Sequence, residues 1–112
     1  MADLESLQTE IGQWTDTTFP SHYINGTPNP RGPIYHLADP EKGEARELLT
    51  AFERGDDLAE EVADIVILCL AIGHLAGFSV QDAVVAKMTK NRARRWGLPD
   101  ANGICEHIEE AN

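Results

Sequence analysis

Four carboxylates have the spacing for shared chemistry. Glu44 and Glu47 stand three residues apart, as do Glu61 and Asp64. On a helix, positions i and i+3 lie about 60° apart on one face, so each pair points one way. A short turn at Gly55-Asp56 would fold the two helices antiparallel and let the four acids meet across the groove between them. An all-oxygen donor set favours magnesium, with manganese the alternative. A lone ExxE is more commonly a solvated helix face or half of an ion pair. Asp64 weighs against that reading, because it sits within Val62-Ala63-Asp64-Ile65-Val66, where an unpaired carboxylate would cost several kcal/mol to bury.

A second group carries the opposite sign. Lys87, Asn91 and Arg94 follow at spacings of four and three and form one polar stripe on a helix. Phosphate oxygens are a fitting target for such groups. Taken alone, a solvated basic face complementing a helix C-terminus is the commoner explanation. The acidic cluster shifts the balance, since a metal-bound triphosphate needs carboxylates for the ion and cations or amides for the remaining oxygens.

These groups need helices to hold them. Leu4, Leu7, Ile11 and Trp14 paint an apolar stripe that predicts a first helix over residues 3 to 14. From Thr17 to Pro40 the chain carries five of its six prolines, together with Asn25-Gly26 and Arg31-Gly32, and reads as a long ordered loop. Phe19, Tyr23 and Tyr35 argue that this loop packs against something. A second helix is expected to start near Pro40 and run to Gly55, and a third to open with Asp57 and Glu60 in capping-box spacing and end at Gly77. Ser79 would cap a fourth helix that turns Val80, Ala83, Val84 and Met88 inward before a basic end at Lys90 to Arg95. The tail after Gly97-Leu98-Pro99 receives no assignment. No strand-like alternation and no internal repeat is evident, so the expectation is an all-α bundle of about four helices with a long N-terminal loop, in one domain spanning 1–112. The third helix is apolar almost all round, which predicts burial against a second subunit.

Composition narrows the partners. The 112 residues suit one domain, and the net charge of −10, with 19 acidic against nine basic residues, disfavours nucleic acid. Cys69 and Cys105 have no metal-ligand spacing, and the N-terminus lacks a secretory pattern, so a reducing cytoplasm is expected. The longest apolar stretch, Ile65 to Gly73, is nine residues, about half of the ~20 that span a bilayer. His36, His74 and His107 show no ExxH or HxxxH spacing and read as structural. His22 lies in the proline-rich loop and could reach a ligand, although a surface histidine is the commoner case. Trp14 and Trp96 read most simply as packing residues.

Taken together, Glu44-Ala-Arg-Glu47-Leu48, Glu60-Glu61-Val-Ala-Asp64-Ile-Val, and Lys87 with Asn91, Arg94 and Trp96 resemble the MazG-like all-α NTP pyrophosphohydrolases. Trp14 to Pro20, Gly32-Pro33-Ile34-Tyr35-His36-Leu37 and the Pro99 to Ile108 tail resemble the dATP/dGTP diphosphohydrolase-type branch. The resemblance implies a magnesium-dependent attack of water on the α-phosphate of a purine dNTP, release of pyrophosphate, and assembly as a homodimer or homotetramer. It also implies that Glu44, Glu47, Glu61 and Asp64 bind metal, with one glutamate orienting or deprotonating the water, and that Lys87, Asn91 and Arg94 hold phosphate. Glu41 with Glu44 is a second ExxE; Leu48 directly after Glu47 favours the Glu44/Glu47 register. Two other functions remain open: a non-catalytic helical oligomerisation or adaptor module, and a hydrolase of another pyrophosphate such as a nucleotide sugar.

Overall fold

The Asp3 carboxylate accepts the Ser6 N–H at 2.8 Å and so starts the first helix of the computed structural model, which describes residues 3–109. Helix α1 spans Leu4–Thr18, longer than the apolar stripe predicts. Gly12 and Thr15 form its buried face, while Trp14 is 54% exposed. Small residues take that face because α1 lies close against a later helix: a Cβ at Gly12 would fall 2.4 Å from His74 Nδ1.

The stretch read as a loop holds regular structure. One 3-10 turn (Pro20–His22) leads into a hairpin of β1 (Tyr23–Ile24) and β2 (Thr27–Pro28), paired antiparallel with Ile24 opposite Thr27. Its turn is Asn25-Gly26, with φ of 53° and 76°, the double left-handed conformation of a tight two-residue hairpin. Helix α2 (Arg31–Ala38) follows. Asn29 Oδ1 accepts the Arg31 N–H at 2.9 Å, and Pro33 falls in the first turn, where a missing N–H costs nothing. The prolines that argue for a loop therefore open a helix.

Helix α3 spans Glu44–Arg54 and begins later than Pro40. The delay has a local cause: Asp39 Oδ1 accepts the N–H groups of Glu41 and Lys42 at 2.9 and 3.0 Å, tying the chain into a turn. Gly43 then passes so near this turn that a Cβ would lie 2.6 Å from the Asp39 carbonyl oxygen. The helix ends at Gly55, φ 74°, with the Asp56 N–H returning to the Ala51 carbonyl. Helix α4 spans Ala59–Ala76; Asp57 Oδ1 accepts the Ala59 N–H at 2.9 Å, and Gly77 at φ 83° closes the far end as expected. Helices α1, α2 and α3 all pack on α4, and the core is Ala51, Leu70, Ala71 and Leu75. Val62 and Val66 on α4 and Leu49 and Phe52 on α3 stay exposed in the single chain.

The chain clusters into two compact units that divide between Gln81 and Asp82. In the first, Gln8 staples the α4–α5 turn, donating to the Phe78 carbonyl at 2.7 Å and accepting the Val80 N–H at 2.8 Å. Helix α5 (Val80–Ala93) starts there and continues into the second unit. Beyond Gln81, Val84 and Met88 are 49% and 40% exposed, so they do not turn inward as expected. The unassigned tail returns on the chain, pairing β3 (Arg95–Trp96) with β4 (His107–Ile108). The architecture is all-α apart from these two small ribbons, whose strands of two residues are too short for alternation to be legible.

Candidate active site

Helix α3 opens on Glu44 and helix α4 presents Glu61 in its first turn, with Asp64 three residues on. One carboxylate oxygen from each of Glu44, Glu61 and Asp64 lies within 4.8 Å of the others. Glu44 is buried, and its position at a helix N-terminus suits a negative charge. Its Oε1 lies 3.1 Å from His36 Nε2, but its Oε2 is buried without a hydrogen-bond partner. Glu61 Oε2 is likewise buried and unpartnered. Asp64, expected to be the buried member, is exposed in the single chain. Glu47 is exposed beside the cluster, and its charge acts on the Glu44 carboxyl. Glu41 stands ahead of α3, in the Asp39 turn.

The electrostatics follow from this crowding. Burial first, then the neighbouring Glu47 carboxylate and the charge of Asp64, push the Glu44 carboxyl above its ordinary range, against an opposing pull from His36. Burial first, then Glu47, Asp64, Glu60 and Asp56, push Glu61 the same way. Oxygen donors from two helices, with two orphaned buried oxygens and mutual repulsion, fit a hard divalent cation, which would satisfy the lone pairs and remove the repulsion.

The acids separate two recesses. Glu44 and Asp64 line a cavity of about 450 Å³, walled by Trp14, Phe19, Pro33, Ile67 and Leu68. Glu47 and Glu61 line a polar cleft of about 550 Å³ with Lys42, Arg46 and Arg54 on its walls. His22 and His36 both line the first. The Nδ1 of His22 is buried and unpartnered, and burial lowers the imidazole pKa despite the opposing charge of Asp16. Its ring lies 5.3 Å from that of Phe19, which meets Trp14 edge-on at 5.5 Å. The local signal for these contacts was the density of rings in the Pro-rich segment; their direction was not visible. His74 is structural as expected, 3.0 Å from Asp16.

Lys87, Asn91 and Arg94 belong to the second unit. There the Asn91 carbonyl accepts the Trp96 indole N–H at 3.0 Å, Arg94 lines a cleft of about 410 Å³ with Arg95 and His107, and Lys87 is exposed.

An all-α scaffold with this oxygen cluster is suited to holding a divalent cation, and the relatives are hydrolases of phosphorus anhydrides. A dATP/dGTP diphosphohydrolase of Cyanophage S-2L is 37% identical over 107 residues, covering 96% of this chain and 90% of that protein. A dATP/dGTP diphosphohydrolase of Salmonella phage PMBT28 is 35% identical over 108 residues, 96% of this chain but 31% of that longer protein. The solved structure of a Cyanophage S-2L MazG-like pyrophosphohydrolase, bound to dGDP and three catalytic Mn2+ ions per active site, superposes with a TM-score of 0.70 at 31% identity, covering 98% of this chain and 97% of that one. No family model matches the sequence. The chain belongs to the MazG-like pyrophosphohydrolases, in the dATP/dGTP diphosphohydrolase branch.

Proposed function

We propose that this chain converts purine deoxynucleoside triphosphates to monophosphates and pyrophosphate, with magnesium held by Glu44, Glu61 and Asp64 and by Glu47 at the rim. The observation that carries the reading is the meeting of three acid oxygens within 4.8 Å, two of the residues having a buried oxygen with no partner. The purine preference rests on the names of the two phage relatives. Manganese is the alternative ion, as in the related structure.

Divalent ions at such a cluster supply charge neutralisation on phosphate oxygens and a more acidic water. The protein's own groups do the rest. His36 holds Glu44 in place through the 3.1 Å contact. Glu47, exposed beside Glu44, accepts the proton of the attacking water as its oxygen bonds to the α-phosphorus. The α–β bridging P–O bond breaks, and its electron pair leaves with pyrophosphate. The cleft bearing Lys42, Arg46 and Arg54 offers that polyanion counter-charges. Lys87, Asn91 and Arg94 hold phosphate oxygens in this reading on the strength of their motif position. The uncovered apolar side chains of α3 and α4 support assembly with further copies of the chain.

Pyrophosphate release from a nucleotide panel tests the proposal. Magnesium-dependent release from dGTP and dATP, abolished by chelation and by Glu61→Gln, is the expected result. No release from any triphosphate would favour the adaptor reading, and a nucleoside monophosphate formed only from nucleotide sugars, together with a sugar phosphate, would reassign the substrate.

A further inference from the structure

The cavity beside the acids contains a polar group with nothing to bind. It is walled mainly by apolar and aromatic side chains, and it shares Glu44 and Asp64 with the cluster. A nucleotide whose phosphates lie at those acids therefore has about 450 Å³ of mostly apolar space adjoining them, a size and character suited to a nucleobase. His22 is the polar side chain on this wall whose ring carries a buried, unpartnered nitrogen, Nδ1.

The tautomer follows from cost. An unpaired buried N–H is a rarer and costlier defect than an unpaired lone pair, so the proton belongs on Nε2 and leaves Nδ1 bare. Burial disfavours the charged imidazolium, and the neutral ring offers one donor. Gly32 lies along the Nε2 edge, where an added Cβ would come within 3.4 Å of Nε2 and 3.3 Å of Cδ2. A single N–H on an apolar wall selects an acceptor. Adenine and guanine share two ring acceptors, N3 and N7; pyrimidines present O2 where purines present N3, but nothing in place of N7.

Resting on the function proposed above, we infer that His22 is a specificity-determining residue whose Nε2–H donates to purine N7 in the cavity between α1, α2 and α4. The aromatic side chains Trp14 and Phe19 supply the apolar contact for the base. Gly32 is part of the same device, since a side chain there would crowd the donor edge.

The test compares dGTP with 7-deaza-dGTP, which differs by one CH in place of N7, in wild type and in His22→Ala and His22→Asn. Turnover gives kcat and KM, and calorimetry with a non-hydrolysable α,β-imido analogue gives an equilibrium Kd in parallel. In wild type, 7-deaza-dGTP should be poorer by about tenfold in kcat/KM, mostly in KM, the usual scale for one lost hydrogen bond. In His22→Ala the ratio between the two substrates should collapse towards one, and His22→Asn, which keeps a donor, should recover part of it. Equal use of both substrates by wild type overturns the inference without needing a variant. So does an unchanged ratio in a folded His22→Ala. If wild type cleaves no triphosphate at all, the underlying function has failed and the His22 assignment falls with it; cleavage without base discrimination sinks the His22 assignment alone.

Discussion

The imidazole of His36 reaches Glu44 across a turn of the chain, Nε2 to Oε1 at 3.1 Å, and so links the end of α2 to the first residue of α3. Glu44 is thereby held from one side while its other oxygen remains buried and free to bind a cation. Groups that orient a metal ligand commonly change affinity or activity by about 10- to 100-fold when removed. His36→Ala should lower magnesium affinity and kcat/KM within that range, and His36→Gln should restore part of both. A variant with wild-type metal affinity would remove His36 from the site.

Burial, and then crowding, of the acids makes the metal-free protein less stable as pH rises. Glu44 and Glu61 have folded-state pKa values raised above the ordinary 4.5. The folded state therefore binds more protons than the unfolded one. Their contribution is fully favourable below about 4.5 and is lost as pH climbs through the raised values. Thermal melts in chelator should show Glu61→Gln matching wild type at pH 4 and melting higher than wild type at pH 7. Added magnesium should raise the wild-type Tm more at pH 7 than at pH 5, and leave Glu61→Gln little changed. A Glu61→Gln variant less stable than wild type at pH 7 without metal would contradict the crowding.

Gly43 sets where α3 begins. A Cβ there would meet the backbone of Asp39 and Leu37 at 2.6 to 2.8 Å, and backbone yields less readily than a side-chain tip. Gly43→Ala should destabilise the fold by about 1–3 kcal/mol, the usual cost of forced overpacking. Because Glu44 is the next residue, metal affinity should fall in parallel. Denaturant melts and metal titration on the same sample check both, and a neutral effect would show that the Asp39 turn can relax.

Much of the site was legible in the spacing of acids, because i and i+3 on a helix share a face whatever the tertiary context. Glu44, Glu61 and Asp64 meet for that reason, and Glu47 lies beside them. The burial of each acid was not legible: Asp64 has the most apolar neighbours in sequence, yet the orphaned oxygens belong to Glu44 and Glu61. Contact between His36 and Glu44 depends on the Asp39 turn, which no periodicity reports. Asn25-Gly26 was a usable hairpin signal, hidden by the shortness of its strands. Trp14 follows helical spacing but not burial, because the approach of α1 to α4 at Gly12 demands small residues.

Binding of manganese at neutral pH, followed by its paramagnetic signal or by calorimetry in wild type and Asp64→Asn, tests the acid cluster most directly. The cluster of Glu44, Glu61 and Asp64 predicts saturable binding in wild type that weakens by tenfold or more in Asp64→Asn while the melting curve stays cooperative. Equal manganese affinity in the two proteins would place the ion elsewhere and contradict the proposed centre.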